Sequence, residues 1–220
     1  MKPKRGWVYR LSEGFIARAV LVVSEDDWNN CLSDSVIVPL YPDAPEDHLQ
    51  LRPSVGDLWA DCTRIGGVGH EDLVEEIYQA NDNELKTIGQ GIRLYLSLDT
   101  LQNPPRLRRP PSIGRSDWWP HRAEVFYGKR FGAQREIYGV ITDDEWNIRG
   151  DYATCIFLTS VYKRWRERWQ IPISGGYAIT GDLEPFRYTE LDNRSRPKLH
   201  KLNSDDMHAL ANGIALTLEL

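Results

Sequence analysis

The chemistry this sequence offers most openly is phosphate recognition. Lys163-Arg164-Trp165-Arg166-Glu167-Arg168-Trp169 sets four cations and two indoles within seven residues. Guanidinium groups donate forked hydrogen bonds to phosphate oxygens, and an indole offers a face on which a nucleobase can stack. The same run also suits a solvated face, the ordinary fate of clustered charge. Other chemistries lack their residues. No CxxC or HExxH pattern occurs, so spacing supports no metal site, and no cofactor is expected. His48, His70, His121, His200 and His208 form no pair at a meaningful spacing, which leaves a two-histidine ribonuclease without support. Cys31, Cys62 and Cys155 are scattered and odd in number. They read as reduced thiols in a cytoplasmic protein rather than as a disulfide framework.

The charge balance is uneven along the chain. The net charge of −5 suggests no nucleic-acid partner by itself. Residues 1–103 hold 9 Lys+Arg against 17 Asp+Glu, whereas residues 104–220 hold 18 against 15. The average therefore hides an acidic first half and a basic second half. No apolar run approaches the ~18 residues of a membrane helix. The opening Met1-Lys2-Pro3-Lys4-Arg5-Gly6 has no apolar stretch behind it, so no secretory leader is expected.

Elements that could position these residues occur twice. Ser24-Glu25-Asp26-Asp27-Trp28-Asn29 is echoed by Thr142-Asp143-Asp144-Glu145-Trp146-Asn147 at an offset of 118. Each hexad follows a β-branched apolar run, Val20–Val23 or Ile137–Ile141. Each is followed by a second, Val36–Leu40 or Thr154–Leu158. Short apolar runs between turn formers read as buried strands. Asn81–Leu85 and Asn203–Met207 match at offset 122, with Asp82 and Ser204 as candidate N-caps. Leu85, Ile88 and Ile92 then recur at helical spacing, as do Met207, Leu210 and Ile214, so one helix closes each half. The alternating leucines at each end would also fit a strand. Val8-Tyr9 and Val125-Phe126 match at offset 117. Between the copies, Asn103-Pro104-Pro105-Arg106-Leu107-Arg108-Arg109-Pro110-Pro111 reads as a stiff extended linker. The expected organisation is a first domain over 1–98, a Pro/Arg-rich linker over 99–121 and a second domain over 122–220.

Each half resembles the MazF/PemK family of toxin endoribonucleases, whose fold is shared with the gyrase poison CcdB. The likeness rests on Arg5-Gly6-Trp7-Val8-Tyr9, on Arg18-Ala19-Val20-Leu21-Val22-Val23-Ser24 and on Trp28-Asn29. It continues in Val38-Pro39-Leu40, in Leu158-Thr159-Ser160 and in Ala60-Asp61-Cys62-Thr63-Arg64-Ile65. Gly181-Asp182-Leu183-Glu184-Pro185 is a weaker copy of the last motif. The resemblance implies a mainly β fold with short helices: two tandem SH3-like barrels, each closed by a C-terminal helix. Because the family works as homodimers, a tandem copy implies a single-chain pseudo-dimer, in which pairing becomes intramolecular.

The resemblance also implies the chemistry and its residues. Family members cut single-stranded RNA without a metal, the 2′-hydroxyl attacking the neighbouring phosphate. An arginine and the Thr of Leu-Thr-Ser carry the reaction. In the first half Arg18 keeps its place, but Tyr41-Pro42 stands where Thr-Ser belongs, so no complete site is expected there. The second half keeps Thr159 and Ser160. Its Arg135 stands seven residues before Thr142 rather than six, so a one-residue bulge would bring it into line and simple alternation would turn it to the other face. Arg135 with Thr159 is the expected pair if a site works. Asp61 and Asp182 read as structural carboxylates that hydrogen-bond loop backbone. Trp59 and Thr180 stand where some relatives place a catalytic arginine. Lys129 and Arg130, with Lys163, Arg164, Trp165, Arg166 and Arg168, would contact nucleic acid. The resemblance implies single-stranded RNA as substrate and an antitoxin protein as partner, with no membrane. A degenerate binding module or regulator of the same fold is the alternative.

Overall fold

The computed structural model describes residues 2–43, 49–99, 119–129, 135–150, 152–191 and 199–220, with backbone alone at Leu49, Lys129, Arg135 and Arg149. The expected 99–121 linker, apart from Asp99 and 119–121, lies outside these residues, as does Arg130. The chain forms two compact units. Unit 1 comprises Met1–Tyr95, Gly181–Leu183 and Ile214–Leu220; unit 2 comprises Leu96–Thr180 and Glu184–Gly213. Among the described residues no helix is long and apolar enough to cross a membrane.

Unit 1 is built on an antiparallel sheet. Its strands are β1 (Trp7–Leu11), β2 (Ala19–Val22), β3 (Asp34–Tyr41), β4 (Ser54–Val55), β5 (Leu58–Ala60), β6 (Gly66–Gly69) and β7 (Leu73–Gln79). The order is β4-β5-β3-β2-β1-β7, with β6 also paired to β3. Tyr9, Leu11, Val20, Val22, Ile37, Val68 and Leu73 form its core. The Ser24–Asn29 hexad makes the turn from β2 into helix α1 (Asp26–Cys31). It is held by buried polar groups. Ser24 Oγ donates to Asn29 Oδ1 at 2.6 Å and accepts the Val36 N–H at 3.0 Å, and Asn29 Nδ2 donates to the Ser24 carbonyl at 3.0 Å. Such groups are tolerated inside a core only when satisfied in this way. Helix α2 (Asp82–Tyr95) follows β7.

The second half of the chain repeats the plan with β8 (Glu124–Lys129), β9 (Arg135–Val140), helix α3 (Asp144–Arg149), β10 (Tyr152–Thr159), β11 (Gln170–Ile173), β12 (Gly176–Arg187), β13 (His200–Lys201) and helix α4 (Ser204–Thr217), all in unit 2 except Gly181–Leu183 of β12 and Ile214–Thr217 of α4. Its sheet order is β11-β12-β10-β9-β8-β13. Phe126, Tyr138, Val140, Cys155 and Phe186 lie in its core. The fold is mainly β with short helices, as the sequence predicts, and the duplication reappears in the hydrogen bonds. Thr142 Oγ1 accepts the Thr154 N–H at 2.7 Å, and Asn147 Nδ2 donates to the Thr142 carbonyl at 3.2 Å, as Ser24 and Asn29 do in the first copy. The pairing of Ala19 with Leu40 recurs as Ile137 with Leu158, both shifted by 118.

One detail differs from the sequence expectation. The helix caps are Asn81 and Asn203, one residue earlier than Asp82 and Ser204. Asn81 Oδ1 accepts the N–H groups of Asn83 and Glu84, and Glu84 returns an acceptor to the Asn81 N–H at 2.8 Å. Asn203 and Asp206 exchange the same pair of bonds at 2.9 and 3.2 Å. This reciprocal box satisfies the orphan donors of the first turn. Asp61 and Asp182 stand in different local settings in the two copies. Asp61 accepts both the N–H and the hydroxyl of Thr63, at 3.1 and 2.5 Å, and so folds a 3-10 turn over Cys62–Arg64. Two residues after Asp182 stands Glu184, which has no hydroxyl to give, and Asp182 lies inside the long strand β12.

Candidate nucleic-acid interface

The basic-aromatic run joins β10 to β11 in unit 2. Residues Arg164–Trp169 form a 3-10 turn. The turn is anchored at its C-terminal end. Trp169 is buried, and its carbonyl accepts the Thr180 hydroxyl at 3.3 Å. The buried Gln170 amide spans the loop, accepting the Lys163 N–H at 2.6 Å and donating to the Val161 carbonyl at 3.0 Å. At the other end, Thr159 Oγ1 accepts the Val161 N–H at 3.1 Å. The loop is therefore pinned by one buried amide and one buried indole, while its middle stands in water. Trp165 is 56% exposed. Arg166 Cζ lies 4.6 Å and Lys163 Nζ 5.9 Å from the Trp165 ring centroid. Both cations thus gather at one indole, within the range of cation–π attraction. Tyr162, also exposed, packs against Tyr177 with centroids 5.4 Å apart. Arg164 and Arg168 are exposed on the same turn. This arrangement presents positive charge and aromatic surface together, on a loop held by its own hydrogen bonds.

The expected Arg135–Thr159 pair is not set side by side by the strand register. Leu158 opposes Ile137 and Phe157 opposes Tyr138, without a shift along Ile137–Val140. Continued by one and then two steps, that register sets Thr159 opposite Glu136 and Ser160 opposite Arg135. The rescuing bulge does not occur in the paired stretch. Alternation puts Thr159 on the face of Cys155 and Phe157, and Glu136 on the face of Tyr138, whose hydroxyl donates to the Glu136 carboxylate at 2.8 Å. Thr159 is half-buried and Ser160 exposed. Arg135 itself pairs through its backbone position with Lys129, at the end of the β8–β9 pair where the chain passes from one strand to the other.

In unit 1 Arg18 is exposed, just before β2. Ala19 pairs with Leu40, so Arg18 falls opposite Tyr41 one step on. Asp61 is a structural carboxylate, as expected. Sequence reasoning did not single out its two cationic neighbours. Arg52 Nη2 and Arg64 Nε each lie 3.6 Å from Asp61 Oδ2, and Arg64 Nη1 approaches Tyr41 Oη at 3.5 Å. Arg64 was legible as an i+3 partner of Asp61; Arg52 comes from before β4 and carries no such signal.

No family model and no curated protein matches the sequence. Solved structures do. An endoribonuclease in complex with its cognate antitoxin, from a mycobacterial species, is 23% identical over 44% of this chain and 96% of its own, with a TM-score of 0.40. MazF from Deinococcus radiodurans is 14% identical over 47% of this chain and 100% of its own, with a TM-score of 0.38. A MazE–MazF complex from the same organism gives 13%, 47%, 99% and 0.39. Each of these is a likeness in fold between about half of this chain and nearly all of the other.

Proposed function

We propose that the protein is a MazF-like, metal-independent endoribonuclease of the toxin type that acts on single-stranded RNA. On this reading the halves 1–98 and 122–220 work as a single-chain pseudo-dimer, and an antitoxin-type protein holds the activity in check. The observation that carries the reading is the ordered loop with exposed Trp165 between Arg166 and Lys163, which leaves directly from the strand that ends in Thr159. A base stacked on an indole contributes about 1–3 kcal/mol, and neighbouring cations add phosphate contacts. Cleavage forms a bond from the 2′-oxygen to phosphorus and breaks the bond to the 5′-oxygen, with the 2′ proton lost and one returned to the leaving oxygen. On this reading the Thr159 hydroxyl hydrogen-bonds the phosphate or relays such a proton.

A second reading is favoured by one specific observation. The β9–β10 register, continued one step past Leu158–Ile137, brings a carboxylate, Glu136, opposite Thr159 where the chemistry asks for a guanidinium. A non-catalytic RNA-binding module would fit that pairing. Incubation of the folded protein with labelled single-stranded RNA in EDTA separates the two. The enzyme reading expects cutting that falls about 100-fold or more in Thr159→Ala and is lost in Arg135→Ala. Binding without cutting by the wild type would replace it with the module.

A further inference from the structure

In unit 2 the side chain that register brings to Thr159 is a carboxylate with a fixed orientation. Leu158 opposes Ile137, so one step further Thr159 opposes Glu136, on the face that carries Phe157 and Tyr138. The Tyr138 and Phe157 rings meet on that face with centroids 5.7 Å apart. Tyr138 is buried, and its hydroxyl donates to Glu136 Oε2 at 2.8 Å. A core phenol thus pins one carboxylate oxygen. The other, Oε1, has no hydrogen-bond partner among the described residues, and Glu136 is half-buried. On its other side Glu136 pairs with Gly128 of β8, which brings no side chain of its own. The Thr159 oxygen accepts the Val161 N–H at 3.1 Å, so its own proton remains to be donated. The loop bearing Trp165 leaves β10 after Thr159. The equivalent pair in unit 1, both residues shifted by 118, is Arg18 and Tyr41. There a cation faces a phenol; in unit 2 a carboxylate faces a small hydroxyl. The copy that keeps the threonine is therefore also the copy with a proton acceptor beside it. Next to a phosphate a carboxylate repels charge, but it can take up a proton from a neighbouring hydroxyl.

We propose that Glu136 is the proton acceptor for RNA cleavage in unit 2, standing where the family resemblance implies an arginine. This role rests on the endoribonuclease reading. Glu136 Oε1 takes the proton of the 2′-hydroxyl as the 2′-oxygen forms its bond to phosphorus, and the bond from phosphorus to the 5′-oxygen breaks. The Thr159 hydroxyl donates a hydrogen bond to the phosphate, water supplies a proton to the leaving 5′-oxygen, and the glutamic acid returns its own proton to water. The test is the rate at which the full chain cuts a labelled single-stranded RNA in EDTA, with affinity read separately by fluorescence anisotropy. Glu136→Gln keeps the size of the side chain and an acceptor for the Tyr138 hydroxyl. It is expected to lower the rate about 100-fold or more, with affinity unchanged or tighter. Glu136→Ala is expected to lose the rate as well and to recover part of it in formate, a small carboxylate that takes the place of the missing group, but not in chloride. Cutting by Glu136→Gln at the wild-type rate, with loss in Thr159→Ala, would overturn the role of Glu136 and leave the endoribonuclease reading standing. Slow cutting by Glu136→Ala that formate does not raise, together with a lowered Tm, would also overturn it, as a carboxylate that serves the fold. No cutting by the wild type would overturn both.

Discussion

Arg122 donates through Nη1 to the carbonyl oxygen of Leu96 at 2.6 Å, inside unit 2. Unit 1 has the same device, where Arg5 Nη2 donates to the Leu218 carbonyl at 2.8 Å. Leu96 and Leu218 stand just past the ends of α2 and α4, where carbonyl groups have no intrahelical partner. The backbones match as well. The Arg5 N–H donates to Asp26 at 2.7 Å and the Arg122 N–H to Asp144 at 2.6 Å. Arg122 Nη1 also donates to the Ile141 carbonyl, and Arg5 Nε lies 3.0 Å from a Glu219 carboxylate oxygen. Burial lowers the pKa of both arginines, and neighbouring carboxylates oppose the shift.

Removing such a guanidinium strands the buried carbonyls it satisfied. Arg122→Ala is expected to cost about 2–4 kcal/mol. For a chain of this size that lowers Tm by roughly 5–15 °C. Arg122→Lys should lie between, since one ammonium cannot reproduce the fork. Differential scanning calorimetry checks this; a Tm within 1–2 °C of wild type for Arg122→Ala would remove the clamp from the account.

Gly91 is a close-approach glycine. A β-carbon there would meet Cys62 Sγ at 2.9 Å and the Gln50 carbonyl oxygen at 3.0 Å. The backbone oxygen cannot swing aside, so α2 would have to move off the turn beneath it. Gly91→Ala is therefore expected to destabilise by about 1–3 kcal/mol, despite the higher helix propensity of alanine. Urea unfolding followed by tryptophan fluorescence reads the change.

His70 ties stability to pH. Its Nε2 lies 3.0 Å from Ser35 Oγ, and burial lowers its pKa from the ordinary 6.5, with Lys2 adding to the effect and Asp34 and Glu71 opposing it. The folded state therefore binds its proton less readily than the unfolded chain. This contribution to stability is complete above about 6.5 and is lost as pH falls through the lower folded value. The urea midpoint is expected to drop between pH 7.5 and pH 5, and to drop less in His70→Gln.

Thiol chemistry separates the three cysteines. Cys62 and Cys155 are buried, and burial pushes both thiols far above the ordinary cysteine range, whereas Cys31 is exposed. One thiol per chain should react with an aromatic disulfide reagent in the folded protein, and three in urea. Cys31→Ser should leave the folded protein unreactive on the same timescale.

Much of the fold was legible because duplication printed its landmarks twice. The Ser24–Asn29 and Thr142–Asn147 hexads mark a buried polar turn whose geometry needs a hydroxyl at the first position and an amide at the last. The closing helices were legible from the spacing of Leu85, Ile88 and Ile92, although their caps lay one residue earlier, where asparagine completes a reciprocal box. The candidate site was legible as a loop and illegible as a register. Whether Arg135 or Glu136 stands beside Thr159 turns on a single residue of strand pairing, and either choice satisfies the apolar pattern of β9. The Arg52–Asp61–Arg64 corner joins residues from before β4 and after β5. Arg64 follows Asp61 at i+3, but no periodicity links Arg52 to them; only the fold does.

The most direct measurement is the end-group chemistry of single-stranded RNA after incubation with the purified full chain in EDTA. Fragments ending in a 2′,3′-cyclic phosphate and beginning with a 5′-hydroxyl, lost in Thr159→Ala, are the predicted result. Intact RNA at every protein concentration that saturates binding would contradict the enzyme reading.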